Sequence, residues 1–218
     1  MKVKYSRYQV ELVKLVEEDQ AEILSHYQKV KLLSSNRDKE ILSIQLKTHC
    51  HDRAARMMQI LNEIGEPSIT NVGVSGSEAI SLLALHSYLD EMKEVLARYE
   101  AVYARDPADV YNESIPSLND RIMVFEQRTQ LYGNNWSIDK EGNYFLIPVE
   151  DFEHMNERRA KFGLKPRMRP TIYAIGEEKH PLGTGETQAI DQKALTDEEY
   201  EEFIRGHIRD QEGQYLAN

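Results

Sequence analysis

Two carboxylates and an imidazole share one face of the first predicted helix. Asp19, Glu22 and His26 follow one another at spacings of three and four residues, and such spacings place side chains on the same helical stripe. The stripe either contributes to a metal site completed by other helices of a bundle or forms a solvated face with charge pairs. The sequence favours the solvated face and predicts no metal, and Asp19 remains a candidate ligand-binding residue.

His86 lies in the most apolar part of a later helix, within the run from Leu82 to Tyr88 and four residues before Asp90. A histidine in such a position is either a core residue with one hydrogen bond or a pocket residue suited to proton transfer. If this helix faces the first helix, an acid–base site or a metal site becomes geometrically possible. The sequence therefore makes His86 a candidate general acid or base.

A run of potential metal ligands, His49-Cys50-His51-Asp52, lies between these two regions. Successive residues of a helix are rotated by about 100°, so His49 and His51 point in different directions. His49 and Asp52 share a face, but one imidazole and one carboxylate are too few for a metal site. The run is therefore predicted to lie on a helix surface.

A further polar group surrounds a fourth predicted helix. Asp120 and Arg121 lie near its start, and Gln130 and Tyr132 lie near its end. The carboxylate could cap the helix with the arginine as its partner, or these side chains could orient a ligand. Composition does not separate the two interpretations.

Familiar catalytic signatures are missing from the chain. It has no glycine-rich phosphate loop, no CxxC pair, no HExxH motif and no GxSxG elbow. These absences remove the direct routes to a nucleotide, zinc or hydrolase assignment, and no cofactor is predicted.

The amino-acid composition is typical of a folded, acidic protein. The 218 residues are 40% hydrophobic and 29% charged, with a formal net charge of −10. Such a charge repels phosphate backbones and anionic lipids, so neither nucleic acid nor membrane is an expected partner. The single cysteine suits a reducing compartment, and the N-terminus has no apolar leader. We therefore expect a cytoplasmic protein, while its oligomeric state stays open.

Periodicity and capping signals predict a mainly α fold, a bundle of about four to five helices with a small β-hairpin. One helical domain is predicted over residues 1–170, followed by a C-terminal arm over 171–218 that carries a charged helix from Thr196. The other predicted elements are helices over 7–33, 35–64, 75–105, 117–131 and 151–161, and a hairpin around residues 139–143.

Taken together, small motifs spread over roughly residues 10–170 resemble those of a bacterial domain family of unknown function. The motifs are Glu18-Asp19-Gln20, Gly65-x-Pro67, Val72-Gly73, Leu82-Leu83-x-Leu85-His86, Leu118-x-Asp120-Arg121, Gln130-x-Tyr132-Gly133, Pro148-Val149-Glu150-Asp151, Glu157-Arg158-Arg159 and Gly163-Leu164. The chain departs from the family at Asn134-Asn135, where Thr-Gln is common, and at Glu66, where Trp is usual. The resemblance implies that His86, Asp120, Arg121, Gln130 and Tyr132 form one cluster, and it implies no reaction.

Two hypotheses follow. In the first, the protein is an enzyme that acts by acid–base chemistry on a small polar or peptide-like substrate. His86 would transfer the proton, Asp120 would orient it and Arg121 would bind an anionic group, while Gln130 and Tyr132 would hold the substrate. In the second, it is a non-enzymatic module that binds a ligand or a protein, and the same residues form a structural polar network.

Overall fold

The computed structural model describes residues 3–138, 144–167, 171–173 and 192–194. The fold is mainly helical, as the sequence predicts. The helices are α1 (Ser6–Leu32), α2 (Asn36–Ile64), α3 (Ile69–Ala84), α4 (Leu89–Arg105), α5 (Ser114–Phe125) and α6 (Met155–Ala160), and the strands are β1 (Trp136–Ile138), β2 (Tyr144–Leu146), β3 (Thr171–Tyr173) and β4 (Gln192–Ala194).

The first two helices match their predicted boundaries to within a residue. The Ser35 hydroxyl accepts a hydrogen bond from the backbone N–H of Asp38 at 3.3 Å, which caps the start of α2. Gly65 ends α2 with a φ of 82°, a left-handed conformation that glycine adopts without steric cost. These local signals fix a long helical hairpin, α1 followed by α2.

The predicted helix over 75–105 is wrong, because the structure divides this region into α3 and α4. The Ser68 side chain caps the start of α3 by accepting from the backbone N–H of Asn71, so the helix begins at Ile69, ahead of the predicted start at residue 75. Gly73 interrupts it with a φ of 73°. After Ala84 the backbone turns away, and Glu91 accepts from the backbone N–H of Tyr88 to start α4. His86 therefore lies in a loop, and it shares no helix with Asp90.

Contact density divides the chain into two compact units, residues 1–118 and residues 119–218. In the first unit, α1 packs against α2 and α3, and α3 packs against α4. Its core consists of fully buried apolar side chains, among them Leu12, Met57, Ile60, Leu61, Ile80, Leu83, Met92 and Tyr99. The boundary predicted near residue 170 stays a prediction.

The second unit contains the end of α5, the strands and α6. The predicted helix over 117–131 is too long, since α5 ends at Phe125 and Gln127 adopts a left-handed φ of 58°. β1 pairs antiparallel with β2, with Trp136 opposite Leu146. The strand order is β1-β2-β3-β4.

Two predicted features concern residues that the structure does not describe. The turn of the predicted hairpin, residues 139–143, and the charged helix predicted from Thr196 both lie outside the described residues. Among the helices that the structure does describe, none is both long enough and apolar enough to cross a bilayer.

Candidate acid–base site

Asp19 is a buried carboxylate at the centre of a polar cluster in the first unit. It lies on α1 and is only 1% exposed. One oxygen, Oδ2, is 2.8 Å from Nδ1 of His86, and the other, Oδ1, accepts from Nε of Arg53 at 3.0 Å. Burial by itself would raise the pKa of Asp19, but the hydrogen bond and charge of His86 and the charge of Arg53 outweigh it and lower that pKa. The carboxyl group is therefore ionised and fully engaged.

His86 presents one ring nitrogen to Asp19 and leaves the other available. The loop after α3 holds its backbone, and its side chain is 26% exposed. A carboxylate accepts hydrogen bonds and donates none, so Nδ1 of a neutral His86 carries the hydrogen. Nε2 makes no hydrogen bond with any residue that the structure describes, and it is not among the buried unpaired atoms. It is thus an acceptor open to solvent.

Arg53 of α2 bridges two carboxylates of α1. Its Nη1 donates to Oε2 of Glu22 at 2.8 Å while Nε holds Asp19, and its side chain is only 12% exposed. Burial would lower the pKa of Arg53, and the hydrogen bond to Glu22 and the charge of Asp19 reverse that effect and raise it. The guanidinium is a permanent positive charge that compensates two negative ones.

Glu22 holds a second imidazole on the other side of this bridge. Its Oε1 is 2.6 Å from Nδ1 of His49, which lies on α2 and is 54% exposed. Burial would raise the pKa of Glu22, but the hydrogen bonds from His49 and Arg53 lower it. The order of contacts is therefore His86, Asp19, Arg53, Glu22 and His49, with two imidazole–carboxylate pairs joined by one guanidinium.

Cys50 lies beside the same carboxylate. Asp19, Cys50 and His86 each offer one potential metal-ligand atom, and these atoms lie within 4.8 Å of one another. Burial and the charge of Asp19 raise the pKa of Cys50 to about 11, so the thiol is neutral. Arg53 lies 3.6 Å from the Cys50 sulfur and 3.0 Å from Asp19. Arg53 thus contacts two of the three groups, and its positive charge disfavours a divalent cation beside them.

The structure brings together some of the predicted site residues and not others. Asp19 and His86, which the sequence placed on facing helices only as a possibility, are in direct contact. His26 is not joined to them: burial lowers its pKa, and its Nδ1 has no hydrogen-bond partner among the described residues. Sequence reasoning missed Arg53, although its place four residues after His49 on one helical face was a usable signal.

Asp120 has a different set of partners, all in the second unit. Its Oδ1 accepts from the backbone N–H groups of Leu131 at 2.8 Å and Tyr132 at 2.9 Å, and Oδ2 accepts from that of Asn134 at 2.9 Å. Burial raises the pKa of Asp120 despite these hydrogen bonds. Both oxygens thus hold the loop that follows α5.

Gln130 completes this loop. Its amide donates to the carbonyls of Asn135 and Ile147 at 3.0 and 2.7 Å and accepts from the backbone N–H of Asn135. The Tyr132 ring packs edge-on against Phe162, and Arg121 is half-buried on α5. These residues belong to the second unit and His86 to the first, and the predicted cluster that joins them stays a prediction.

Replacing Asp120 by asparagine is expected to destabilise the second unit. The amide can accept hydrogen bonds through one oxygen only, so at least one partly buried backbone N–H loses its partner, at a cost of about 1–3 kcal/mol. Urea unfolding of D120N and of the exposed control D151N measures the difference. Equal midpoints for D120N and the wild type would show that the carboxylate does not hold the loop.

Comparison with known proteins gives no assignment: no family model, no curated protein and no solved structure matches the chain. The resemblance to a bacterial domain family therefore stays a prediction.

Proposed function

We propose that the protein is an enzyme in which His86 transfers protons to and from a small polar or peptide-like substrate. The observation that carries the proposal is the contact of 2.8 Å between Nδ1 of His86 and the buried carboxylate of Asp19. Such a carboxylate fixes the tautomer and the orientation of the imidazole and stabilises the imidazolium that forms during the reaction. Nε2 is then the atom that accepts and returns the proton.

The environment of Asp19 supports this role. Its lowered pKa keeps the carboxylate charged across the neutral range, and Arg53 restrains it from the opposite oxygen. A base that works near neutral pH needs its orienting group in one protonation state throughout. The buried Asp19 meets that need better than an exposed carboxylate would.

The exposure of His86 supports the proposed kind of substrate, and the single cysteine supports the proposed compartment. A quarter of the His86 side chain is exposed, so a small polar or peptide-like substrate can meet the ring from solvent. The only cysteine of the chain is a buried free thiol, which supports the proposal that the protein works in the reducing cytoplasm.

The test is turnover by His86→Gln. We expect H86Q to lose about 10²–10⁴-fold in turnover, the usual contribution of a positioned acid or base, on whichever member of a panel of small esters, amides and short peptides the wild type cleaves. His154 is a matched control, because Asp151 also holds its Nδ1, at 2.8 Å, but on an exposed surface. An H86Q variant that turns over substrate as fast as H154Q and the wild type would contradict the proposal.

The alternative is a non-enzymatic module that binds a ligand or a protein. One observation favours it: the network joins α1, α2 and the loop after α3, so it also fixes how these segments pack. In that case H86Q lowers the free energy of unfolding by about 1 kcal/mol, and calorimetry detects a metabolite or peptide that the wild type binds without converting it.

A further inference from the structure

We propose that His49 is a second proton-transfer residue of this site, working opposite His86 through the bridge that Arg53 forms between Asp19 and Glu22. This inference rests on the proposed function, because it assigns a role within the same reaction. It adds a surface residue of α2 to a site that already contains Asp19 of α1, Arg53 of α2 and His86 in the loop after α3.

The two imidazoles are held in the same way. In each, a carboxylate of α1 binds Nδ1, at 2.8 Å for His86 and 2.6 Å for His49. Neither ring makes a hydrogen bond through Nε2 with the described residues, and neither Nε2 is a buried unpaired atom. Asp19 and Glu22 lie one helical turn apart, and the nitrogens of a single guanidinium contact both. The pairs are therefore neighbours and not two separate surface contacts.

The fixed charges of the bridge balance when one of the two imidazoles carries a proton. Two carboxylates, those of Asp19 and Glu22, contact one guanidinium, that of Arg53, so the network has one negative charge in excess while both rings are neutral. Burial and the charge of Asp19 raise the pKa of the Cys50 thiol, so Cys50 adds no charge. The network can therefore hold one protonated ring and one neutral ring without gaining net charge.

Such a pair supplies an acid and a base at the same moment. The neutral ring takes a proton from the attacking water or hydroxyl group through Nε2, and the imidazolium gives its Nε2 proton to the departing oxygen or nitrogen. The network gains one proton and loses one, so its charge is unchanged, and exchange with water restores the starting state. A single histidine would have to perform both transfers in sequence.

The experiment measures turnover against pH for the wild type, His49→Gln, Glu22→Gln and the control H154Q. We expect a bell-shaped profile for the wild type and H154Q, since such profiles report an essential acid and an essential base. H49Q should lose one limb of the profile and about 10²-fold in turnover, and E22Q should lie between H49Q and the wild type. His49 is exposed, so we expect H49Q to fold like the wild type, and near-UV circular dichroism checks the fold of each variant. An H49Q profile that keeps both limbs and full turnover would overturn the inference.

Ring nitrogen NMR separates this inference from the proposed function, because it needs no substrate. We expect the pH dependence of the His86 signals to differ between the wild type and H49Q and to be the same in the wild type and H154Q, because only His49 contacts the bridge. Identical His86 curves in the wild type and H49Q would exclude coupling whether or not H86Q loses turnover. Conversely, a changed curve in H49Q together with an H86Q variant of full activity would leave the coupled pair standing and remove the proposed reaction.

Discussion

Arg53→Met is expected to lower the free energy of unfolding of the first unit by about 3–5 kcal/mol, the cost of leaving a buried ion without its partner. The buried ion is Asp19, which keeps a hydrogen bond to His86 but loses the permanent positive charge that Arg53 holds beside it. Methionine matches the apolar stem of arginine in length, so lost packing contributes little. Denaturant unfolding at neutral pH measures the effect.

Arg56→Met is the matched control, because Arg56 lies one turn further along α2 and binds a carboxylate of α1 as well. Its Nε donates to Glu11 at 2.7 Å, but both side chains are 38% exposed, and an exposed pair of this kind contributes no more than about 1 kcal/mol. R53M unfolding at the same denaturant concentration as R56M would contradict the assignment of Arg53 as the counterion of a buried charge.

The loss in R53M depends on pH in a definite direction. The pKa of Asp19 in the folded protein lies below its usual value of 3.8, so the ionised form stabilises the fold. That contribution is complete above the usual carboxyl pKa and is lost as the pH falls through the lower folded value. The stability difference between the wild type and R53M should therefore be largest near neutral pH and shrink in acid. A stability difference between the wild type and R53M that grew as the pH fell would contradict this account.

Asp19→Asn is expected to reduce turnover by about 10³–10⁴-fold, comparable with the loss when an orienting carboxylate is replaced in other imidazole–carboxylate pairs. The asparagine amide can donate to Nδ1 of His86, which moves the ring hydrogen to Nε2 and removes the acceptor from the solvent side. Substrate binding should change little, because Asp19 is buried and does not meet the substrate. Comparing kcat and KM of D19N with those of the wild type tests this.

The control for D19N is Asp151→Asn, which alters the same kind of pair around His154 on an exposed surface. D151N should keep wild-type kcat. An unfolded D19N would be uninformative on turnover, so its near-UV circular dichroism is compared first; Arg53 still binds Glu22 in this variant, and we expect a folded protein. Folded D19N with full kcat would exclude the role of Asp19.

The sequence predicted the helices of the first unit better than the loops that separate them. The α1–α2 hairpin followed from periodicity and from the signals at Ser35 and Gly65, which act locally. The break after Ala84 did not, because apolar residues continue through Leu85 and periodicity alone reads them as one helix. Because the prediction had no break here, it put His86 and Asp90 on one helix, which the structure corrects.

The candidate site could also be predicted only in part. The stripe of Asp19 and Glu22 was readable from spacing, and so was the unusual position of His86 among apolar residues. Arg53 joins Asp19 to Glu22, and it is one of many basic residues on long helices. Its importance depends on which face of α2 packs against α1. Tertiary packing determines this face, and the spacing of the acidic residues does not reveal it.

The most direct measurement is a long-range proton–nitrogen NMR spectrum of the imidazole of His86 in the wild type and in D19N. We predict that neutral His86 in the wild type carries its hydrogen on Nδ1, with Nε2 as the bare nitrogen, and that D19N loses this preference. A wild-type ring with its hydrogen on Nε2, or a spectrum that D19N leaves unchanged, would contradict the account that Asp19 prepares His86 for proton transfer.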